Sequence, residues 1–255
     1  MEIIILILLI CIGAILGSFL GCMGYRIPKK IKTTYPSSFC PNCKKSLKWY
    51  MNIPIFSYIF LRGKCAYCNK KIGAIYFIVE VLCAILFGLN YILFDFSSEF
   101  FIATIITCML IVTIVSDFLY YYISDRVLII SSLCLILIAY ITLPTMDFVY
   151  RILSAIIIFL FMYGIKILGN SMFGKESLGD GDIKLMGVIG LAVGLINSFV
   201  ALFFSSVIAL IFSIITIKKN KEGMIPYGPF LIIGTLLVIY FSNIITPYLN
   251  ELLSL

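Results

Sequence analysis

The sequence contains no histidine. This absence excludes the Ser-His-Asp and Cys-His relays of many hydrolases, the histidine-based zinc sites of metalloproteases, and copper or haem sites built on imidazole. Charged residues are also scarce, at 12% of 255 residues, against about 25% in soluble domains. Hydrolytic chemistry in this chain would therefore depend on carboxylates, on lysine, or on a metal held by cysteine.

Apolar residues make up 62% of the chain, which is more apolar surface than one core can bury. The sequence therefore predicts an all-α polytopic membrane protein. Runs of about 20 apolar residues predict eight transmembrane helices, at Ile3 to about Met23 and at residues 73–94, 99–120, 127–145, 149–169, 182–198, 199–217 and 226–248. The predicted domains are a first transmembrane helix at 1–23, a loop domain at 24–72 and a seven-helix core at 73–255.

Basic residues are concentrated in one polar segment. Eleven of the nineteen lie between Arg26 and Lys71, where no Asp or Glu occurs. The positive-inside rule places this segment in the cytoplasm, and eight spans then place both termini outside, with Arg151 the one basic residue on the wrong side. No basic residue precedes the first apolar run, so we expect a retained span rather than a signal peptide. The basic segment suits a lipid bilayer surface, and we expect no nucleic-acid partner.

Four of the nine cysteines form two C-x-x-C pairs in this segment, at Cys40, Cys43, Cys65 and Cys68. Two such turns can present four thiolates tetrahedrally to Zn²⁺, and their separation is close to the usual structural zinc spacing. The sequence therefore predicts a small Cys₄ zinc-binding cytoplasmic loop domain. The alternative is a redox-active pair, which would make the protein a membrane thiol-disulfide oxidoreductase.

Two carboxylates lie where the membrane boundary is predicted. Asp117 ends the third span and Asp182 opens the sixth, both near the cytoplasmic face. Ionisable residues at membrane depth cost about 2.5–3.5 kcal/mol each and are functional candidates, although an Asp at a helix start is also a common cap. Gly179 and Gly181, on either side of Asp180, allow the backbone to bend and to approach a neighbour closely.

Two carboxylates that meet can share one proton, so that one activates water while the other protonates the carbonyl or the leaving group. The dipole of a helix favours an anion at its N-terminus and disfavours one at its C-terminus. We therefore expect Asp182 to be the ionised base and Asp117 to be the proton donor.

Further motifs follow one another along almost the whole chain: Gly17-Ser-Phe-Leu20 with Tyr25-Arg26, the first cysteine pair, Asn52–Tyr58, Leu61–Cys68, Tyr76 with Glu80, Asp117 with Ile123 and Asp125, Glu176–Leu185, and Pro226-Tyr-Gly-Pro229. In this order they resemble the type IV prepilin peptidases, which are bifunctional leader peptidases and N-methyltransferases of the bacterial inner membrane. Ser124 departs from the proline usual in that family, and Leu119 from a frequent aspartate.

The resemblance implies an aspartyl intramembrane protease of the G-x-G-D type with Asp117 and Asp182 as its catalytic dyad. The implied substrates are type IV prepilins or pseudopilins, whose short basic leader is cut off in the cytoplasm. The new N-terminal residue would then be methylated from S-adenosylmethionine. The resemblance associates this methyl transfer with the cysteine loop and with Gly63, two residues before the third cysteine.

Two other functions compete with this interpretation besides the oxidoreductase. A transporter could use the two aspartates as a proton path, but the chain shows no repeat symmetry and no deep acidic residues in several spans. A peptidase without methyltransferase activity is the third, and the intact cysteine loop argues against it.

Overall fold

The computed structural model describes residues 1–33, 35, 37–174, 177–216, 225–245 and 247. Its α-helices are α1 Glu2–Arg26, α2 Phe56–Phe60, α3 Ala74–Phe94, α4 Ser98–Tyr120, α5 Asp125–Thr142, α6 Thr145–Phe173, α7 Asp180–Val193, α8 Leu195–Thr216 and α9 Gly228–Tyr240, with a 3₁₀ turn at Trp49–Asn52. Extended pairing within these residues is limited to two isolated bridges in the loop. The predicted all-α class is confirmed.

Six of the helices in the described part of the chain are long and apolar enough to cross a membrane: α1, α3, α4, α5, α6 and α8. They lie where the first, second, third, fourth, fifth and seventh spans were predicted. Predicted and observed ends of α3 and α4 differ by no more than one residue. The prediction of a polytopic helical membrane protein is therefore confirmed.

The two remaining predicted spans are shorter in the structure. Helix α7 has 14 residues, which is about 21 Å at the usual rise and less than the ~30 Å hydrocarbon core. It stops because Gly194 has a φ of +82°, so the predicted helix over 182–198 is wrong at its end. Helix α9 has 13 residues. The basic residues Lys175, Lys218, Lys219 and Lys221, and the end of the last predicted span, lie outside the described residues.

The described chain divides into two compact units. The N-terminal unit comprises Met1–Phe96 with Ile111–Tyr122, and the C-terminal unit comprises Ser97–Leu110 with the described residues from Ile123 onward. Helix α4 contributes to both. The predicted domain boundaries at residues 23 and 72 remain predictions.

In the N-terminal unit, α1 packs closely against α3 through a line of glycines. A Cβ on Gly13 would lie 2.8 Å from the Cys83 carbonyl oxygen, and one on Gly17 would lie 2.8 Å from Cys83 Cβ. Small residues spaced by four allow helix backbones to approach in this way. This pair of helices forms the base on which residues 27–73, here called the cysteine loop, are folded.

In the C-terminal unit, α7 is the central helix and contacts α5, α6, α8 and α9. Nine of its fourteen residues are buried. Arg151, the exception in the predicted charge distribution, donates a hydrogen bond to the carbonyl of Ala192 in the last turn of α7. A cation at a helix C-terminus is stabilised by the helix dipole, so Arg151 has a structural partner within this unit.

Candidate functional site

The two C-x-x-C pairs adopt the same turn. In the first, Cys40 N–H donates to the Lys45 carbonyl at 3.0 Å and Lys44 N–H donates to the Cys40 carbonyl at 2.8 Å. In the second, Cys65 and Asn69 form the corresponding bonds, both at 2.9 Å. The residue after each second cysteine has a positive φ, +58° at Lys44 and +54° at Asn69. Each turn therefore presents its two thiols on the same side.

The four predicted zinc ligands meet. The Sγ atoms of Cys40, Cys43, Cys65 and Cys68 all lie within 4.8 Å of one another, and Cys40 Sγ is 3.9 Å from Cys68 Sγ. Tetrahedral Zn–S bonds of ~2.3 Å require sulfurs about 3.8 Å apart. The donor set and its spacing therefore fit a tetrahedral metal ion, and a metal-binding cluster is the firm statement.

The electrostatics of the cluster also favour a cation. The N–H of Lys70 and the amide of Asn42, whose Nδ2 is 3.5 Å from Cys68 Sγ, lower the pKa of Cys68 to about 6. The N–H of Lys45 favours the Cys43 thiolate as well, but desolvation and the neighbouring cysteine sulfurs outweigh it and raise the pKa of Cys43 to about 11. Four thiolates cannot accumulate here without a compensating positive charge, which a divalent metal supplies.

Gly63 lies in the turn that precedes the third cysteine. Its φ is +65°, and a Cβ there would lie 2.9 Å from the Tyr58 hydroxyl oxygen. Its N–H donates to the Tyr58 carbonyl, and its own carbonyl accepts from Ile72 N–H. A glycine is required both by the left-handed backbone and by the close approach of Tyr58.

Asp117 belongs to the N-terminal unit and lies in the last turn of α4. It is 5% exposed, and its carbonyl accepts from Tyr121 N–H at 2.9 Å, in a turn that ends the helix with Tyr121 at a φ of +51°. The carboxylate is therefore at the helix end, as predicted, and is enclosed by protein.

Asp182 belongs to the C-terminal unit and lies in the first turn of α7. Its Oδ2 is 3.1 Å from the position that a Cβ would take on Gly179, the N-cap residue of this helix. A Cβ on Gly181 would lie 2.8 Å from Ile123 Cβ. The two glycines of the motif thus leave space for the Asp182 carboxylate and for the chain before α5.

The flanking carboxylates form ion pairs within this unit. Lys166 Nζ is 2.6 Å from Asp180 Oδ1, and Lys184 Nζ is 2.8 Å from Asp125 Oδ1. The Lys166 hydrogen bond and charge lower the pKa of Asp180. These pairs connect the start of α7 to α6 and α5, and they distinguish both residues from Asp182, which has no salt bridge among the described residues.

Sequence reasoning missed a third acidic residue at membrane depth. Glu80 lies inside the predicted span 73–94, and we quoted it only as part of the resemblance. Its Oε2 accepts a 2.7 Å hydrogen bond from the N–H of Ile55 in the cysteine loop. The signal that singled out Asp117, a carboxylate in an apolar run, was present at Glu80 as well.

These features define a multi-pass helical membrane protein with a four-cysteine loop and acidic side chains at helix ends. Residues 11–94 match the bacterial peptidase A24 N-terminal domain, and residues 104–214 match the type IV leader peptidase family. The chain belongs to the type IV leader peptidase family. No solved structure matches it.

Curated relatives cover nearly the whole chain. It is 32% identical over 247 residues to the prepilin leader peptidase/N-methyltransferase of Bacillus subtilis, an alignment that covers 95% of this chain and 97% of the relative. It is 30% identical over 269 residues to the prepilin leader peptidase/N-methyltransferase of Vibrio cholerae, with 94% and 98% covered. The predicted family is confirmed, and the thiol-disulfide oxidoreductase alternative gains no support.

Proposed function

We propose that this protein removes the leader peptide of type IV prepilins or pseudopilins and N-methylates the residue exposed by the cut. The observation that carries the proposal is the similarity, along almost the entire chain, to relatives named for these two activities. The predicted aspartates, glycines and cysteines all lie within that similarity. The enzyme would act in the bacterial inner membrane, with the cysteine loop in the cytoplasm and both termini outside.

Asp117 and Asp182 are the proposed catalytic dyad. Asp182 would act as the base that removes a proton from water, and the resulting hydroxide would attack the carbonyl carbon of the scissile peptide bond. Asp117 would donate its proton, so that the bond breaks with a neutral amine leaving. The positions of Asp182 at a helix N-terminus and of Asp117 at a helix C-terminus support this division of roles.

The membrane boundary explains why the dyad would lie at helix ends. A prepilin has a polar basic leader and an apolar helix, so its cleavage point lies where the leader leaves the bilayer. Water is available at such an interface and scarce at the bilayer centre. An apolar substrate helix can remain in lipid beside the spans while its leader reaches the carboxylates.

Methyl transfer is assigned to the N-terminal unit. The substrate's N-terminal nitrogen would attack the methyl carbon of S-adenosylmethionine, the carbon–sulfur bond would break with its electron pair remaining on sulfur, and the methylated amine would release a proton. Cys40, Cys43, Cys65 and Cys68 would hold Zn²⁺, which supplies a structural cross-link to the loop. Gly63 supports this unit by allowing the tight turn against Tyr58.

The test is co-expression of the protein with a candidate prepilin and measurement of leader removal by intact mass spectrometry. Asp117→Asn and Asp182→Asn preserve side-chain size and remove the ionisable group, and each is expected to abolish cleavage. Asp125→Asn and Asp180→Asn are matched controls, because these carboxylates are nearby but paired with lysine. Full-rate cleavage by either dyad variant would contradict the assignment.

A further inference from the structure

A cavity of about 290 Å³ lies in the N-terminal unit, between α1, α3 and the cysteine loop. Its size is near the lower end of the ~300–1,000 Å³ range of small-molecule sites. The wall combines aromatic rings, lysines and one carboxylate; the residues used below are Tyr25, Tyr58, Lys70, Tyr76, Phe77 and Glu80. The proposed proteolysis does not use this cavity.

Glu80 is the one carboxylate among the described residues that line the cavity. Its partners are neutral donors, the N–H of Ile55 at 2.7 Å and the hydroxyl of Ser18. No lysine or arginine of the described chain forms a salt bridge with it. A carboxylate can accept about four hydrogen bonds, so Glu80 retains acceptor capacity for a cationic ligand group.

The backbone that holds Glu80 is strained. Ile55 has φ +64° and ψ −57°, and Phe56 N–H donates to the Pro54 carbonyl at 2.6 Å, which is the pattern of a γ-turn. This form of the turn is rare and unfavourable, especially for a β-branched residue. Such outliers persist where surrounding structure fixes them, often at ligand sites, and here the turn fixes the Ile55 N–H against the carboxylate.

Aromatic rings provide flat surfaces in the same wall. Tyr58 stacks on Phe77 with ring centroids 4.9 Å apart, and Tyr25 meets Tyr76 edge-on at 6.4 Å. These rings can pack against a planar base. Lys70 and Lys71, also in the lining, supply positive charge for an anionic group. The cavity therefore presents an aromatic surface, a carboxylate and cations together.

We propose that this cavity binds S-adenosylmethionine, with the Glu80 carboxylate accepting hydrogen bonds from the ligand's α-ammonium group. The inference rests on the methyl transfer of the proposed function and adds a location and a recognition residue. The ligand joins an adenine ring to a zwitterionic amino acid. The aromatic wall matches the adenine, Glu80 matches the ammonium and Lys70 or Lys71 matches the carboxylate. Glu80 is a binding residue in this proposal and takes no proton.

Direct binding to the full-length protein in nanodiscs tests the proposal by isothermal titration calorimetry. Glu80→Gln is expected to raise the dissociation constants of S-adenosylmethionine and S-adenosylhomocysteine by about tenfold or more, because a charge-assisted hydrogen bond is lost. The affinity for 5′-methylthioadenosine, which lacks the amino-acid part, should change less than about twofold. Equal losses for all three ligands, or no loss for any, would overturn the assignment of Glu80.

Glu99→Gln is the matched control, since Glu99 lies in the first turn of α4 and outside the cavity lining. Its ligand affinities should equal those of the parent protein. Photo-crosslinking of S-adenosylmethionine to the unsubstituted protein gives a test that does not depend on the folding of a variant. Labelling of peptides within residues 17–26 or 51–80 is expected, and labelling confined to other peptides would overturn the location.

The failure of this inference can be distinguished from failure of the proposed function. A protein that cleaves and methylates a prepilin but is labelled outside the cavity refutes the inference alone. A protein that neither cleaves nor methylates its cognate prepilin refutes the proposed function, whatever it binds.

Discussion

The cysteine loop and helix α7 are stabilised in different ways. Among the described loop residues, Cys40, Gly63 and Cys65 are the buried ones, so the loop has no apolar core of its own. Helix α7 buries nine residues, chiefly aliphatic, among its neighbouring helices. The loop must therefore depend on a cross-link, whereas α7 depends on the hydrophobic effect and close packing.

Backbone strain is distributed in the same uneven way. Six residues of the loop have positive φ: Lys30, Lys44, Ile55, Arg62, Gly63 and Asn69. In the described part of the C-terminal unit the positive-φ residues are Gly174 and Gly194, which tolerate that conformation without a steric penalty. A loop that carries unfavourable conformations at non-glycine residues needs stronger external constraints than a helix that carries none.

Removal of metal should have the largest effect and should act on the loop alone. Chelation of a stoichiometrically bound zinc is expected to remove the hydrogen-exchange protection of residues 38–72, because structural zinc contributes about 10–16 kcal/mol to folding in comparable small sites. Amides of α7 should keep their protection. Hydrogen-exchange mass spectrometry measures both regions in one sample.

Cys65→Ser is the matched variant for the chelation experiment, and Cys134→Ser is its control because Cys134 is exposed and outside the cluster. Only the first should reproduce the effect of the chelator. Equal loss of protection in the loop and in α7 would show that the two regions do not differ as argued.

Two glycines with nearly identical backbones provide a finer comparison. Gly63 in the loop and Gly174 after α6 have φ values of +65° and +63°, but a Cβ would meet Tyr58 at the first and nothing within 4 Å at the second. Alanine at either position costs about 1–2 kcal/mol for the left-handed backbone. Gly63→Ala must also displace Tyr58, which stacks on Phe77.

We therefore expect Gly63→Ala to accelerate hydrogen exchange in its own turn more than Gly174→Ala does around residue 174. The amides to follow are those of Gly63 and Ile72, which hydrogen-bond across the loop turn. Equal acceleration by the two substitutions would mean that Tyr58 imposes no additional constraint.

Local signals in the sequence predicted the helices well where hydrophobicity alone decides. The ends of α3 and α4 follow from long apolar runs between polar residues. The shortening of α7 did not, because Leu195 and the residues after it are as apolar as those before Gly194. The break depends on one glycine conformation, and a hydropathy run contains no information about it.

The candidate sites show the same division. The cysteine cluster was predictable because each pair closes its turn within five or six residues, so spacing nearly determines geometry. The contact between Ile55 and Glu80 joins residues 25 apart in sequence. Glu80 could have been noticed as a carboxylate in an apolar run, but its partner depends on how the loop folds over α3, which no local pattern specifies.

The smallest expected effect concerns acid sensitivity in the C-terminal unit. Lys166 lowers the pKa of Asp180 below its ordinary value of about 3.9. Since the folded-state pKa is the lower one, the ion pair stabilises the protein above the unfolded-state value, and this contribution is lost as the pH falls through the folded-state value. Asp180→Asn should thus lower the melting temperature slightly at pH 7 and not at pH 3, with the exposed Asp147→Asn as control. The cysteine loop should respond to acid earlier, because protonation of its thiolates releases metal, so metal loss that begins only below pH 4 would contradict the contrast between the two regions.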